Sequence, residues 1–271
     1  MLRRIEDIEP ELAHMTTNAI DMVCSVIDSR PEHTLLARQA EWHICGIHYH
    51  CERFYEQYRR FVEEAAARVA TGAEAVVMYS PDSQRMFFEF YALVVLARIV
   101  LDNLRHYVAP AFTTRFGEIP KSVTAVLKGE TNCPLYEEIR GNALLAYLID
   151  LRDCLVHYHS FAVSDNVLLI QEGATTPGAM DRHSFFAGMA RAFFRRVNNC
   201  GASVNVYLPD KIFETHSGHR RLADFTYDKK WHILSMAVGF ANLSVSAVAK
   251  ALKVLQETDT PIFRYAKRCS T

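Results

Sequence analysis

The sequence predicts a mainly α-helical protein: an antiparallel helical bundle with a small insertion that contains a β-hairpin. Half of the 271 residues are hydrophobic, which is enough to bury a sizeable core in a single domain spanning 1–271. Apolar residues recur with helical spacing through most of residues 10–158 and again near the C-terminus. Short β-branched runs between turn residues occur at 166–172 and 203–208, so we expect an α/β insertion at about 161–222.

Three long helices are expected in the first half, over about residues 10–27, 31–70 and 80–108. In the first helix, Ile20, Val23 and Ile27 fall on one face. The third opens at Ser80-Pro81-Asp82. Serine is a good N-cap, proline fits the first helical position, and aspartate favours the positive end of the helix dipole.

The second half begins with a further expected helix over about residues 134–158. Its leucines and final tyrosine form a buried stripe with alternating spacings of four and three: Leu144, Leu148, Leu151, Leu155 and Tyr158. Residues 166–172 and 203–208 are interpreted as strands that can pair with each other. A helix over 185–197 is expected between them, and a last helix over about 227–255.

Charge and cysteine usage limit the function classes. Lys plus Arg is 30 and Asp plus Glu is 31, so the total charge carries no signal for nucleic acid or an anionic membrane. The first 15 residues lack an apolar stretch, and the apolar run 86–101 contains Glu89 and Arg98. We therefore expect no secretory signal and no membrane partner. Seven cysteines without a CxxC motif favour a reducing compartment, the cytoplasm.

The segment best suited to chemistry is Arg152-Asp153-Cys154-Leu155-Val156-His157, near the end of the helix expected over 134–158. An imidazole exchanges protons at neutral pH, and a guanidinium can hold a phosphate bidentately. Asp153 lies four residues before His157 and can orient the ring. Arg152 and His157 are about 140° apart around an ideal helix, so they can share only a cleft formed between two helices or two subunits.

This segment resembles the R-polar-x3-H motif of HEPN domains, a superfamily of helical ribonuclease and antiphage domains. The resemblance implies that Arg152 and His157 are catalytic, that Asp153 supports them, and that the site is completed across a homodimer. It further implies an RNA substrate, metal-independent cleavage without a cofactor, and in some branches an antitoxin-like protein partner. The helix over 80–108 would flank the site, so Asp102 and His106 are expected to contribute to binding. His159, two residues after the motif histidine, is expected to contribute as well. One toxin branch has tyrosine at the position of His159.

Other interpretations stay open. A non-catalytic HEPN-like module that binds RNA, a nucleotide or a protein would share the motif, and a helical scaffold could contain it by coincidence. Five potential ligands, His43, Cys45, His48, His50 and Cys51, crowd nine residues, but their spacing does not form a four-ligand zinc set, and no metal is expected. A P-loop, GxGxxG and GxSxG are absent from the sequence, which leaves nucleotide hydrolysis and dinucleotide chemistry without support.

The densest basic stretches are 216–221 and 229–230, with further pairs at 195–196 and 264–268. Such groups can contact RNA phosphates, or they can form an ordinary solvated face. A second arginine–histidine pair with the spacing of the motif, Arg38 and His43, is set aside because glutamine follows the arginine and the pair lies in an early helix.

Overall fold

The computed structural model describes residues 8–69, 74–111, 121–127, 134–140, 142–157, 166–174, 190–197, 201–217, 220–226 and 230–257. These residues form a mainly helical protein with a small mixed sheet. The helices are α1 (Ile8–Ser29), α2 (Thr34–Arg68), α3 (Pro81–Ala111), α4 (Val123–Leu127), α5 (Pro134–Arg140), α6 (Ala143–His157) and α7 (Ile233–Gln256). The strands are β1 (Ala75–Tyr79), β2 (Asn166–Gln171), β3 (Arg191–Val197), β4 (Gly201–Leu208), β5 (Lys211–Ser217), β6 (Arg220–Thr226) and β7 (Trp231–His232).

The three long helices of the first half are confirmed, and so is the cap that opens the third. The Ser80 hydroxyl accepts a hydrogen bond from the backbone N–H of Ser83 at 3.2 Å, as expected of an N-cap. The same hydroxyl donates to Glu64 Oε2 at 2.8 Å. Ser80 therefore both starts α3 and ties it to the end of α2.

Two helix predictions in the second half need correction at their boundaries. The helix expected over 134–158 is two helices, α5 and α6, separated around Asn142. The Asn142 side chain accepts a hydrogen bond from Leu144 N–H at 2.9 Å, so it caps α6 and lets a new helix begin there. The last helix begins at Ile233 rather than near residue 227, because β6 runs to Thr226 and β7 comes directly before α7.

The helix expected over 185–197 is wrong in its described part, which is strand β3. Phe193 and Val197 fit a helical spacing, but Ala192 and Phe194 are buried while Arg195 is exposed. This two-residue alternation is typical of a strand. Pairing with β2 on one side and β4 on the other stabilises β3 as a strand. The rest of that prediction, 185–189, lies outside the described residues.

Five strands form one sheet in the order β1-β2-β3-β4-β7, and β5 and β6 form a separate antiparallel pair. Both predicted strands exist as β2 and β4, but they are not neighbours because β3 lies between them. The β2–β3 pair is parallel and the other three pairs are antiparallel. The sheet also extends beyond the expected insertion 161–222, since β1 precedes α3 and β7 precedes α7.

The described residues fall into two compact units. The sheet unit contains the described parts of 50–94 and 150–238, with all seven strands. The helical unit contains those of 8–49, 95–149 and 239–257. Helices α2, α3, α6 and α7 contribute residues to both units.

Helix α7 packs parallel to α1 in the helical unit. Asn242, early in α7, donates to Glu11, early in α1, at 3.1 Å. Gln256, at the end of α7, donates to Ser25 and Ser29, near the end of α1, at 2.9 and 3.2 Å. This direction differs from the expected antiparallel arrangement. Because α1 and α7 are far apart in the sequence, no short turn forces them to be antiparallel.

Among the described helices, α7 is long and apolar enough to cross a membrane by length and composition alone, and 67% of its most apolar window is buried inside the protein. Core helices of soluble proteins meet the same criteria. Its buried residues include Ala237, Phe240, Ala241 and Val248.

Candidate active site at the end of helix α6

Helix α6 carries the arginine–histidine motif. Leu148, Leu151 and Cys154 of α6 are buried, and this stripe fixes which side of the helix faces the core. The helix ends at His157, so the motif lies within its last two turns. The expectation that the motif lies late in a helix is therefore confirmed, although α6 is shorter than predicted.

The Arg152 side chain is half-buried beside Asp153. Arg152 Nη1 lies 2.9 Å from Asp153 Oδ1. Arg152 Nε is buried and has no hydrogen-bond partner among the residues that the structure describes. An unsatisfied buried donor is unfavourable by about 1–3 kcal/mol. This guanidinium therefore has one edge held by a carboxylate and one N–H available to an acceptor such as a phosphate oxygen.

Two histidines of the expected site, His157 and His159, are at most partly placed. The backbone of His157 is the last residue of α6, but its side chain is outside the described part of the structure. His159 lies outside the described residues altogether. The expected orientation of the His157 ring by Asp153 stays a prediction, and the Asp153 carboxylate interacts with Arg152.

Asp102 belongs to the helical unit, where it has a structural environment. Its Oδ1 atom accepts a hydrogen bond from Val123 N–H, the first residue of α4, at 2.8 Å. It also lies 3.4 Å from Nη1 of the buried Arg98, and Arg98 Nη2 donates to Thr124 at 2.8 Å. Asp102 therefore holds the start of α4 against α3 and balances a buried positive charge.

His106 lies one turn further along α3, in the same unit. Burial, and secondly the positive charge of Arg105, lower the pKa of its imidazole. Arg105 Nε donates to His106 Nε2 at 3.4 Å. This environment favours the neutral ring, which suits a hydrogen-bond acceptor better than a phosphate-binding cation.

The five crowded histidines and cysteines of α2 do not converge. Cys51 is buried, and burial raises the pKa of its thiol to about 12, while Cys45 is exposed. In the described part of the chain, no group of three or more His, Cys, Asp or Glu side chains is arranged to hold a metal ion. Each of the three histidines has a different hydrogen-bonding neighbour: Tyr107 at 2.6 Å from His43, Thr16 at 3.0 Å from His48, and Glu89 at 2.8 Å from His50.

The two members of the second arginine–histidine pair, Arg38 and His43, have different environments. Arg38 forms an ion pair with Glu41 at 2.7 Å on the surface. His43 is buried against Tyr107, and burial lowers the pKa of its imidazole. An imidazole enclosed in this way cannot reach a substrate, which agrees with setting this pair aside.

One buried histidine in the sheet unit is not predicted by any pattern in the sequence. His232 of β7 lies 3.2 Å from the Tyr58 hydroxyl through Nε2, and its ring packs edge-to-face against Tyr207 of β4 at 5.4 Å. Burial lowers the pKa of His232 to about 4. No local signal marks this residue, because both of its partners come from other elements.

Comparison of the chain with protein-family models, with curated proteins and with solved structures found no significant match.

Proposed function

We propose that this protein is a HEPN-like, metal-independent endoribonuclease that acts as a homodimer. The observation that carries the proposal is the state of the Arg152 guanidinium. It is half-buried, with its Nη1 edge held by Asp153 and its Nε atom desolvated without a partner in the described part of the chain. Such a group is ready to bind an anion, and it lies five residues before His157.

The reaction is an intramolecular transesterification followed by release. The His157 imidazole takes the proton from a ribose 2′-hydroxyl, and the 2′-oxygen attacks the adjacent phosphorus. The bond from phosphorus to the 5′-oxygen breaks, and that oxygen leaves with a proton donated by the His157 imidazolium formed in the first step. Arg152 stabilises the extra negative charge on the phosphorus oxygens in the transition state. Asp153 orients the guanidinium.

A second copy of the chain is part of the proposal because of the helix geometry. Residues five apart project about 140° apart around a regular helix, and α6 is helical through His157. Positions 152 and 157 therefore lie on different sides of the helix. Two α6 helices packed together would bring the arginine of one protomer near the histidine of its partner.

An exposed apolar stripe on α2 supports the second copy. Leu35, Trp42 and Tyr49 are 81%, 76% and 52% exposed and recur every seven residues, so they share one face of the helix. Exposed tryptophan is unfavourable in water and is typical of interaction surfaces.

We also propose that the helices pack as a bundle in which α1 and α7 are parallel, and α1 and α2 antiparallel.

The test is cleavage of a single-stranded RNA in the presence of a chelator by the wild type and by His157→Ala. We expect cleavage by the wild type and a loss of about 100-fold or more in the variant. The matched control is His14→Ala, which removes an exposed histidine of α1 and should keep full activity. Equal cleavage by wild type and His157→Ala, or none by either, would remove the enzyme and leave a non-catalytic binding module.

A further inference from the structure

The two faces of the five-stranded sheet differ in chemistry. One face is buried and apolar; it carries Met78, Val167, Leu169, Ala192, Phe194, Val204, Val206 and Leu208. Residues that alternate with these lie on the opposite face. On that opposite side Ile170, Tyr207 and His232 are buried, and His232 contacts Tyr58 of α2. We call the rest of that side the open face; among the described residues, its partly or fully exposed members are Val77, Tyr79, Leu168, Arg191, Phe193, Arg195, Ser203 and Asn205.

The middle strand of the sheet, β3, places a phenylalanine between two arginines on the open face. Arg191, Phe193 and Arg195 occupy alternate positions, so all three project to this side. The two arginines are about 13 Å apart along the strand, from a rise of roughly 3.3 Å per residue. The intervening Arg196 projects to the other side, where its guanidinium lies 5.8 Å from the ring centroid of the buried Phe194.

The neighbouring strand β4 surrounds Phe193 with polar and aromatic groups. Tyr207, Asn205 and Ser203 lie directly opposite Arg191, Phe193 and Arg195, so the six side chains form three facing pairs. The rings of Phe193 and Tyr207 contact each other edge-to-face at 5.9 Å. That contact packs the phenylalanine ring against the buried Tyr207 ring.

At the edge of the sheet, β1 adds a second exposed aromatic residue. Tyr79 is 61% exposed, and it pairs with Asn166 at the end of β2. Glu172, just after β2, is an acidic group close enough to add to the effect of burial in raising the pKa of Tyr207. The open face therefore combines aromatic rings, two arginines and hydrogen-bonding side chains, with one carboxylate nearby.

We propose that the open face binds single-stranded RNA. Unpaired bases stack on Phe193 and Tyr79, phosphates pair with Arg191 and Arg195, and the Asn205 amide hydrogen-bonds a base edge. The charge of the arginines complements the phosphate backbone, which the near-neutral chain as a whole does not. The choice of RNA as the ligand rests on the proposed function, and the site itself rests on the sheet.

The test is binding of a fluorescein-labelled, unpaired 12-nucleotide RNA, measured by anisotropy with the non-cleaving His157→Ala chain as background. Arg195→Glu should weaken binding about 10-fold or more and make the affinity less dependent on salt. The matched control is Arg196→Glu, which makes the same change in charge at the next residue but on the other face, and binding should change less than about 2-fold. Glu172→Gln should tighten binding, because it removes the nearby carboxylate.

Stacking is tested separately with Phe193→Leu and Tyr79→Leu, which keep apolar volume but remove the ring. Each should weaken binding about 10-fold, and circular dichroism confirms that the variants fold. Tyr79 is the safer variant because its side chain is mostly exposed. Three outcomes would each overturn RNA binding at the open face. They are equal losses in Arg195→Glu and Arg196→Glu, unchanged binding in the leucine variants, and equal binding of a duplex RNA.

RNA binding at the open face and the proposed nuclease activity are tested by different outcomes. If RNA binds and Arg195→Glu weakens this binding, but the wild type does not cleave RNA, then the open face binds RNA and the protein is not a nuclease. If the wild type and Arg195→Glu cleave RNA with the same KM, then the protein is a nuclease and the open face does not bind the RNA. Selective binding of a protein segment in place of RNA would also overturn RNA binding at the open face.

Discussion

The guanidinium of Arg152 lies 2.9 Å from the carboxylate of Asp153, although the two residues are consecutive on α6. Consecutive helical residues project about 100° apart, so the long arginine side chain must bend toward Asp153 to make this contact. The contact leaves Nε as the buried donor that lacks a described partner. The pair thus holds the guanidinium in one orientation while one of its N–H groups stays available.

Removing this guanidinium should abolish cleavage while leaving the fold intact. We expect Arg152→Ala to lower kcat/KM for RNA about 100- to 1000-fold, because one charge-stabilising donor in a transition state has an effect of that size. Arg152→Lys should also be impaired, since lysine cannot hold a phosphate bidentately. Initial-rate kinetics and a thermal melt of each variant measure both effects.

The orienting carboxylate should matter less than the guanidinium. We expect Asp153→Asn to lower kcat by about 10-fold, because an amide oxygen still accepts the hydrogen bond but lacks the charge. Stability should change by less than about 1 kcal/mol, as for other exposed ion pairs. A kcat for Asp153→Asn as low as that of Arg152→Ala would mean that the carboxylate takes part in the chemistry.

Asp102 should act through stability and not through catalysis. Asp102→Ala removes the cap of α4 and the partner of the buried Arg98, so we expect a loss of about 1–3 kcal/mol in the free energy of unfolding. Asp102→Asn keeps an acceptor for Val123 N–H and should lose less. Urea unfolding measures the losses. If a fully folded Asp102→Asn chain cleaved RNA much more slowly, Asp102 would contribute to the active site.

Stability should fall in mild acid because of His232. Its pKa is about 4 in the folded chain against 6.5 for an ordinary histidine, so between these values the unfolded chain binds more protons. The stability contributed by the neutral ring is complete above pH 6.5 and decreases as the pH falls toward 4. The loss is about 3 kcal/mol, from 1.36 kcal/mol per pKa unit. Urea unfolding at several pH values measures this loss.

Two variants test whether burial or the hydrogen bond to Tyr58 lowers the pKa of His232. His232→Gln should lose about 3 kcal/mol less than the wild type between pH 6.5 and 4, because glutamine does not titrate. Tyr58→Phe removes the hydroxyl partner of His232 but keeps the ring buried, so its pH dependence should match that of the wild type. A flat profile in Tyr58→Phe would show that the hydrogen bond, and not burial, sets the pKa.

The exposed stripe on α2 should hold two copies together. We expect the wild type to be a dimer by light scattering and Trp42→Glu to be a monomer, because a charge in an apolar interface is strongly unfavourable. Leu35→Glu should have a similar but smaller effect. The control is Phe88→Glu, which alters an exposed aromatic residue on α3 and should leave the dimer unchanged. A dimeric Trp42→Glu chain would place the interface elsewhere.

Local signals were enough to predict the long helices. The stripe of α1, the Ser80 cap of α3 and the late position of the motif on α6 depend on residues within a few turns of one another. The types of residues at the candidate site are likewise visible in the sequence, since Arg152, Asp153 and His157 are six residues or fewer apart. Strands β2 and β4 were also recognisable from their β-branched runs.

Tertiary structure decided what depends on distant partners. Strand β1 pairs with β2 across about 90 residues, and β3 is a strand because β2 and β4 flank it, although Phe193 and Val197 fit a helical spacing. In the same way, Asp102 caps α4, and His232 is neutral because β4 and α2 bury it. The physical reason is that helical hydrogen bonds join residues four apart, whereas strand pairing and burial depend on which distant segments the folded chain brings together.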